Sequence, residues 1–545
     1  MQFGLPPHFW YNTPMNTLPR PRPLVIVILD GWGISFQEEG NAIAAAQTPT
    51  MKMFASSFPT AAVQAAGMEV GLPWGDVGNS ETGHRNIGAG QVQYQVLPLI
   101  DKEIGNEDFF HNDVLVKAVE HAQQNQSALH LMGLCSPGGV HAHINHLYAL
   151  LELAAQQGLR ERVYVHMFTD GRDAPPQASL QYLTELEQII QKTGVGTIAS
   201  VMGRFYAMDR NQNWDRTQAA YDMLTTGKRI NGAPTAKMAI EQSYAQNIFD
   251  EMIPPTTITR AGEPIATIKD NDAVIFFNYR PDRARQITRA FGQPGFNSFP
   301  VKKFNNLYFA TLAQHDPLIP VPAAYFEAKA EYYLSRIISE AKLEQLHIAE
   351  TEKYAHITYY LNVGNEEPLP GEQRLLIKSS SVTNFAEQPR MAAKEITDHV
   401  IEQINSNRYD VYFLNYANAD MVGHTGNFEA TVEACDFVDG CLERLWQTIS
   451  KQNGAMVVTA DHGNAEEKLN QQTKQVSTDH TSNPVPFHYI NNALKRTTPR
   501  SEEEVRHIFS SPIGVLADVA PTILEILHLE KHSSMTGVSL LNSLE

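Results

Sequence analysis

A chain of 545 residues is too long for one hydrophobic core, and 43% hydrophobic with 19% charged residues describes a globular protein of two or more domains. The formal charge of −18 argues against nucleic acid or an anionic membrane surface as the main partner, and no apolar run approaches the ~18–20 residues of a membrane helix. Cys135, Cys435 and Cys441 show no pairing motif, which excludes a disulfide framework or thiolate metal site and fits a reducing, cytoplasmic compartment.

Residues 1–22 lack a basic-then-apolar signal pattern and read as a disordered or loosely packed extension. "PLVIVIL" (23–29) is short, β-branched and followed by Asp30, which predicts a buried strand with an acid at its end. "GDVGNSETGHRNIGAG" (75–90) then presents Ser80 among glycines and small polar residues. A hydroxyl at its free pKa is a poor nucleophile, so Ser80 needs an activator from elsewhere in the chain.

The middle block carries strand-like runs at "ALHLMGLC", "VYVHMFTD", "GTIASVM" and "DAVIFFNYR". Helical stretches such as "NHLYALLELAAQQG" and "SLQYLTELEQIIQKTG" lie between them. Pro-containing joints, "YQVLPLIDKE" and "HDPLIPVPAAYF", flank the block. Further on, "YDVYFLNYANAD" and "GAMVVTAD" repeat the first pattern, an apolar run ending in Asp420 or Asp461. Alternating strands and helices predict an α/β fold with largely parallel sheets, one domain inserted into another. The expected boundaries are an extension over 1–22, a first domain built from 23–97 and 326–545, and an inserted domain over 98–325.

Ligands of open α/β sheets gather beyond the carboxyl ends of the strands, so acids from distant positions can converge there. "NADMVGHTG" sets Asp420 and His424 four apart, one face of a helical turn. "TADHGNAEE" supplies Asp461 and His462, and "STDHTSNPVPF" supplies His480. With Asp30 this makes six oxygen and nitrogen donors, enough for two cations, and carboxylate mixed with imidazole shifts preference toward Mn²⁺ or Zn²⁺. Two close metals can clamp a phosphoryl transfer and activate a bound hydroxyl, which gives Ser80 its candidate activator.

Positive charge is concentrated in the middle block. "FTDGRDAPP" holds Arg172, "GRFYAMDRNQNWDR" holds Arg204 and Arg210, and "NYRPDRARQ" holds Arg280 and Arg283. Guanidinium forks match phosphate and carboxylate bidentately. "GGVHAHINH" offers His141, His143 and His146. In an extended segment His141 and His143 point in different directions, so one phosphate-contacting histidine is expected rather than a zinc site.

Ten ordered segments, among them "LDGWG", "GNSETGHRNIGAG", "GGVHAHINHL", "TDGRDAPP", "GRFYAMDR", "NYRPDRARQ", "NADMVGHTG" and "TADHGNAE", resemble the cofactor-independent phosphoglycerate mutases of the alkaline-phosphatase superfamily. The resemblance runs from about residue 23 to the C-terminus and leaves the extension outside. It implies a phosphatase-like metal domain with an inserted transferase domain. It also implies interconversion of 3-phosphoglycerate and 2-phosphoglycerate in glycolysis and gluconeogenesis through a phosphoserine, without bisphosphoglycerate. Carried onto matching positions, Ser80 is the nucleophile. Asp30, Ser80, Asp461 and His462 hold one divalent ion, and Asp420, His424 and His480 hold a second, usually Mn²⁺. His141, Arg172, Asp173, Arg204, Arg210, Arg280, Arg283 and Lys353 bind the phosphoglycerate. Free glycerate must stay and turn between the two transfers, which asks the inserted domain to close and exclude water. A monomer is expected. Departures from the family pattern are Pro137 in "CSPGGVH", Leu361 and Val363 in "YYLNVGNEE", and the segment "SSSVTNFAEQPRM". The rivals are a metal-dependent phosphatase or phosphosugar mutase on the same core, and a non-catalytic scaffold. The arginine-rich block argues against a simple hydrolase, and the intact donor set against a scaffold.

Overall fold

A computed structural model describes residue 15 and residues 18–227, 231–326 and 329–544. Residues 1–14, 16 and 17 of the expected loose extension lie outside the described residues, but Leu18 is buried in the core of the first unit. The chain divides into two compact units, residues 1–95 with 328–545, and residues 96–327. No helix among the described residues is long and apolar enough to cross a membrane.

The first unit is built on an eight-stranded sheet. From edge to edge it runs Glu372–Ile377, Gln345–Glu350, Val411–Tyr416, Leu24–Leu29, Ala455–Thr459, Val485–Asn491, Thr60–Gln64 and Gly514–Val515. Leu24–Leu29 is buried along its whole length, as the continuous apolar run requires of a strand covered on both faces. Its neighbours, Val411–Tyr416 and Ala455–Thr459, are both parallel to it. All three chains therefore leave the sheet at the same end. Val485–Asn491 runs antiparallel to both of its neighbours, so the sheet is parallel-dominated and not wholly parallel.

The second unit has a nine-stranded sheet. Its main path is Ala323–Tyr325, Tyr308–Ala313, Ala273–Phe276, Leu129–Leu134, Val163–Thr169, Thr197–Gly203, Thr256–Arg260 and Asn231–Ala233, and Glu263–Pro264 pairs with Thr256–Arg260. The division between the units falls at Gln95 and Val96, within the segment read as a first joint, and the rest of that segment is the helix Val96–Gly105, with Pro98 in its first turn and Ile100 buried. Proline is tolerated there because first-turn amides have no helical partner. Across the middle strands one buried line of hydrogen bonds joins Asp272 Oδ2 to His130 (3.2 Å), His130 to His166 (2.9 Å) and His166 to Ser200 Oγ (2.8 Å). It satisfies polar groups that would otherwise be costly inside the sheet.

Candidate active site

Three ligand-bearing loops follow from the strand order. Asp30 comes directly after Leu24–Leu29, its amide donating to Tyr416 O at 3.1 Å. Asp461 lies two residues beyond Ala455–Thr459. Asp420 is not at a strand end: the strand stops at Tyr416, and Asp420 sits in the short helix Asn418–Gly423. His424 follows that helix, its amide donating to Asp420 O at 2.9 Å, so the four-residue spacing does bring the two side chains together.

Ser80 is not a loop residue. It is the first residue of the helix Ser80–Ala89, and the Asn79 side chain caps this helix by accepting from the Thr82 amide at 2.9 Å. The serine thus stands at a helix N-terminus, where free amides and the helix dipole favour an anion. Gly83 lets the helix lie against the next ligand loop, since a Cβ there would come within 2.5 Å of Asp461 O. Ser80 Oγ is 2.8 Å from Lys353 Nζ, 2.9 Å from His462 Nε2 and 3.2 Å from Asp30 Oδ1.

Lys353, read from sequence with the substrate-binding set, stands among these acids. Its ammonium donates to Asp30 Oδ1 at 2.6 Å and Asp420 Oδ2 at 2.7 Å. Burial alone would discharge it, but the Asp30, Asp420 and Asp461 carboxylates outweigh burial and hold its pKa above the ordinary lysine value. Burial also opposes the charge on His462, and the Asp461 carboxylate, with Asp30 and Asp420, overcomes it and lifts the ring to about 9.

Hydrogen bonding settles how these groups can meet a cation. His424 Nδ1 is 2.7 Å from Thr478 O, and His480 Nδ1 is 2.8 Å from Gly78 O. A carbonyl only accepts, so each Nδ1 carries a proton, and Nε2 is the atom each ring has left to offer a cation. Those two Nε2 atoms are 2.9 Å apart, and they lie 3.2 and 3.1 Å from Asp420 Oδ1. Three lone-pair donors aimed at one another fit a bound cation. Beside them, buried Asp461 Oδ2 has His84 Nδ1 at 3.2 Å and His462 Nε2 at 3.5 Å, and His462 Nε2 is also 3.5 Å from Asp30 Oδ1. Asp30 and Asp461 converge with His84, and His462 converges with Asp420 and His480; a cation beside Asp30, Ser80 and Asp461 takes His462 as a further donor by displacing its ring proton. His84 also lies beside Asp30 and Asp461, but its nitrogens are spent. Nδ1 meets Ser80 O at 2.8 Å, and Nε2 meets Asn415 Nδ2 at 3.1 Å.

Lys353 is followed by a π-helical turn, His356–Tyr360, that packs against the Ser80 helix. Leu361 is fully buried behind it, so its apolar side chain serves the core. Val363 has φ 52°, a left-handed backbone that a β-branched residue resists. Val363→Gly is expected to stabilise the protein by about 1 kcal/mol, the relief of strain less glycine's extra chain entropy. Denaturant midpoints of the two proteins check this, and a lower midpoint for the variant would refute the strain. Nothing in the structure explains Pro137, which is exposed.

The second unit gathers the cationic set. Arg204 is buried between Asp170 Oδ1 (2.7 Å) and Asp173 Oδ2 (2.6 Å). Asp282, which sequence reading passed over, takes Arg210 at 2.8 Å, Arg280 at 3.2 Å and His141 at 3.4 Å. Arg283 donates to Met208 O at 3.3 Å. Burial, then the positive charges of Arg204, Arg210 and Arg172, hold Arg283 below the ordinary arginine pKa, the signature of cations crowded around an anion site. Burial and Arg204 bring His141 down to about 4, so it meets a ligand as a neutral ring. Arg172, Arg210 and Arg280 keep exposed guanidinium groups. His143 caps the helix Ile144–Gln156 and His146 pairs with Asp101 at 3.0 Å, so neither joins His141 in a metal site.

Residues 100–317 match the family profile described as the BPG-independent PGAM N-terminus, and residues 347–513 match that of type I phosphodiesterase / nucleotide pyrophosphatase. The chain is 47% identical to a 2,3-bisphosphoglycerate-independent phosphoglycerate mutase of Chloroflexus aurantiacus, over 96% of this chain and 99% of that one. It is 46% identical to the 2,3-bisphosphoglycerate-independent phosphoglycerate mutase 1 of Methanosarcina barkeri, over 95% and 98%. Among solved structures it is similar to the phosphoglycerate mutase of Leishmania mexicana, crystallised at low cobalt concentration. That protein shares 31% identity and a TM-score of 0.51, over 96% of this chain and 98% of that one.

Proposed function

The chain belongs to the 2,3-bisphosphoglycerate-independent phosphoglycerate mutases, and from that premise we propose that it interconverts 3-phosphoglycerate and 2-phosphoglycerate through a phosphoserine on Ser80. The observation that carries this reading is Ser80 Oγ at a helix N-terminus, 2.8 Å from the Lys353 ammonium, beside two sets of convergent metal donors. Asp30, Ser80, Asp461 and His462 would hold one divalent ion and Asp420, His424 and His480 the other. Manganese suits this mixture of carboxylate and imidazole. Such ions, when bound, supply Lewis acidity at a phosphoryl oxygen and favour the deprotonated form of a bound hydroxyl.

Ser80 Oγ gives up its proton and attacks phosphorus as the bond to the glycerate 3-oxygen breaks, and that proton ends on the departing 3-oxygen. In the return step the 2-hydroxyl gives up a proton and takes the phosphoryl group from Ser80. Lys353 stays charged, so it donates a hydrogen bond to Oγ and does not act as its base. It stabilises the alkoxide form and offsets charge on the phosphoryl oxygens. The Ser80 helix amides do the same from the other side. Arg172, Arg204, Arg210, Arg280 and Arg283, with His141, would hold the carboxylate and phosphate of the substrate, and Asp173, which accepts from Arg204 at 2.6 Å, would accept from a glycerate hydroxyl. A reducing cytoplasm is the proposed setting, supported by three free, buried cysteines.

The test is chelation followed by Mn²⁺ add-back, in an assay of 3-phosphoglycerate conversion without added bisphosphoglycerate. Chelated protein is expected to lose turnover and Mn²⁺ to restore it. Release of inorganic phosphate in place of 2-phosphoglycerate would favour the phosphatase reading.

A further inference from the structure

The segment after His462 holds a buried carboxylate that the chemistry above leaves unused. Glu466 is 1% exposed. Its Oε2 accepts from the Gly33 amide at 3.1 Å and the Asn464 amide at 2.8 Å. Its Oε1 accepts from Asn483 Nδ2 at 3.0 Å and from the Thr481 hydroxyl. A carboxylate has about four acceptor positions, and all four are taken, so Glu466 has none left for a cation.

The four donors come from three different loops. Gly33 lies three residues after Asp30, Asn464 two after His462, and Thr481 and Asn483 one and three after His480. Each loop carries a donor of the two-metal cluster. The chain makes room for the acid with glycines: a Cβ on Gly33 would lie 2.3 Å from the Glu466 carboxyl carbon, and one on Gly463 would lie 2.3 Å from Oε1. The same segment reaches Asp420 as well. Asn464 Nδ2 donates to Asp420 Oδ1 at 2.8 Å, and Asn464 Oδ1 accepts from buried Lys468.

We infer that Glu466 is a positioning residue that sets metal affinity, by fastening the Asp30, His462 and His480 loops to one carboxylate. The inference rests on the two-metal reading above. A carboxylate that organises ligands without touching the ion acts through their spacing, and loss of such partners typically costs about 10–100-fold in affinity. Glutamine keeps the shape of Glu466 but removes its charge and turns an NH₂ toward either the Gly33 and Asn464 amides or the Thr481 and Asn483 side chains, so at least one bond is lost without a cavity.

Mn²⁺ titration of the full-length, chelated protein, followed by the EPR signal of free Mn²⁺, tests this. Glu466→Gln is expected to weaken Mn²⁺ binding about 10–100-fold, with most turnover regained at saturating metal. Thr481→Val removes no charge, only the hydroxyl that donates to Glu466 and accepts from the Asn483 amide at 3.3 Å, and is expected to weaken binding about fivefold. It carries the test if Glu466→Gln does not fold. Mn²⁺ affinity within twofold of the unsubstituted protein, in whichever variant folds, would overturn the inference even if melting temperatures fall. Unsubstituted protein that takes up no Mn²⁺ would overturn the two-metal reading and this inference with it.

Discussion

Ser80→Ala is expected to lower mutase turnover by about four orders of magnitude or more, with metal content close to normal. The loss is large because the serine oxygen forms the covalent bond on which both transfers depend, and removing a nucleophile takes the work of its helpers with it. Metal content should hold because six carboxylate and imidazole ligands remain, all on backbone that the substitution does not disturb. The substitution removes a single oxygen, and the Asn79 cap on the helix is untouched. Turnover, bound Mn²⁺ and transfer of labelled phosphate to the protein are the measurements. Appreciable isomer formation by the variant would sink the covalent route, whereas lost metal would show that the serine oxygen is chiefly a ligand.

Lys353→Met is expected to lower kcat about 10²–10³-fold, the usual cost of removing one preorganised donor at a site of developing charge. It should also destabilise the metal-free protein by about 3–5 kcal/mol, because Asp30 and Asp420 then face each other buried and without their shared cation. The two effects separate on adding metal. Bound cations compensate the carboxylates, so stability recovers toward that of the unsubstituted protein, but the hydrogen bond to Ser80 Oγ does not return. Lys353→Arg is not a conservative rescue, since a planar fork cannot occupy the point among Asp30 Oδ1, Asp420 Oδ2 and Ser80 Oγ that a tetrahedral ammonium fills. Full turnover in the methionine variant at saturating Mn²⁺ would confine Lys353 to a structural role.

Much of this was legible from local pattern. "LVIVILD", "FLNYANAD" and "MVVTAD" show largely apolar strands followed by acids, because burial on both faces and a carboxylate soon after the strand are short-range features. The Asp420–His424 pair was legible for the same reason, four residues being one helical turn. Ser80 was found as a residue but not as a helix start. Its neighbours are rich in glycine, which lowers helix propensity and reads as loop. The glycines are there because the helix must lie against other backbone, as Gly83 does against Asp461, and tertiary contact overrides propensity. Asp282 and Glu466 were missed for a different reason. Each is an unremarkable acid in sequence, marked only by the partners it collects.

By itself the sequence determined the kind of protein this is: an α/β chain of two units' worth of strands, with carboxylates and imidazoles in the segments that follow one set of strands and arginines in those that follow another. Only the tertiary structure decided which of those groups meet. Leu24–Leu29 lies between Val411–Tyr416 and Ala455–Thr459, and that order joins Asp30 to residues nearly four hundred positions away. Largely apolar strands carry little signal of their neighbours, since each would be buried almost equally well beside another; Asn415, which donates to Asp30 at 2.8 Å, is the exception here. The order is set by the packing of the whole sheet. The same packing put Lys353 beside Ser80, turned the Nε2 atoms of His424 and His480 toward Asp420 by tying up their other nitrogens, and closed three loops around Glu466. Those relations are hydrogen bonds between residues far apart in the chain, and they exist only once the chain has folded.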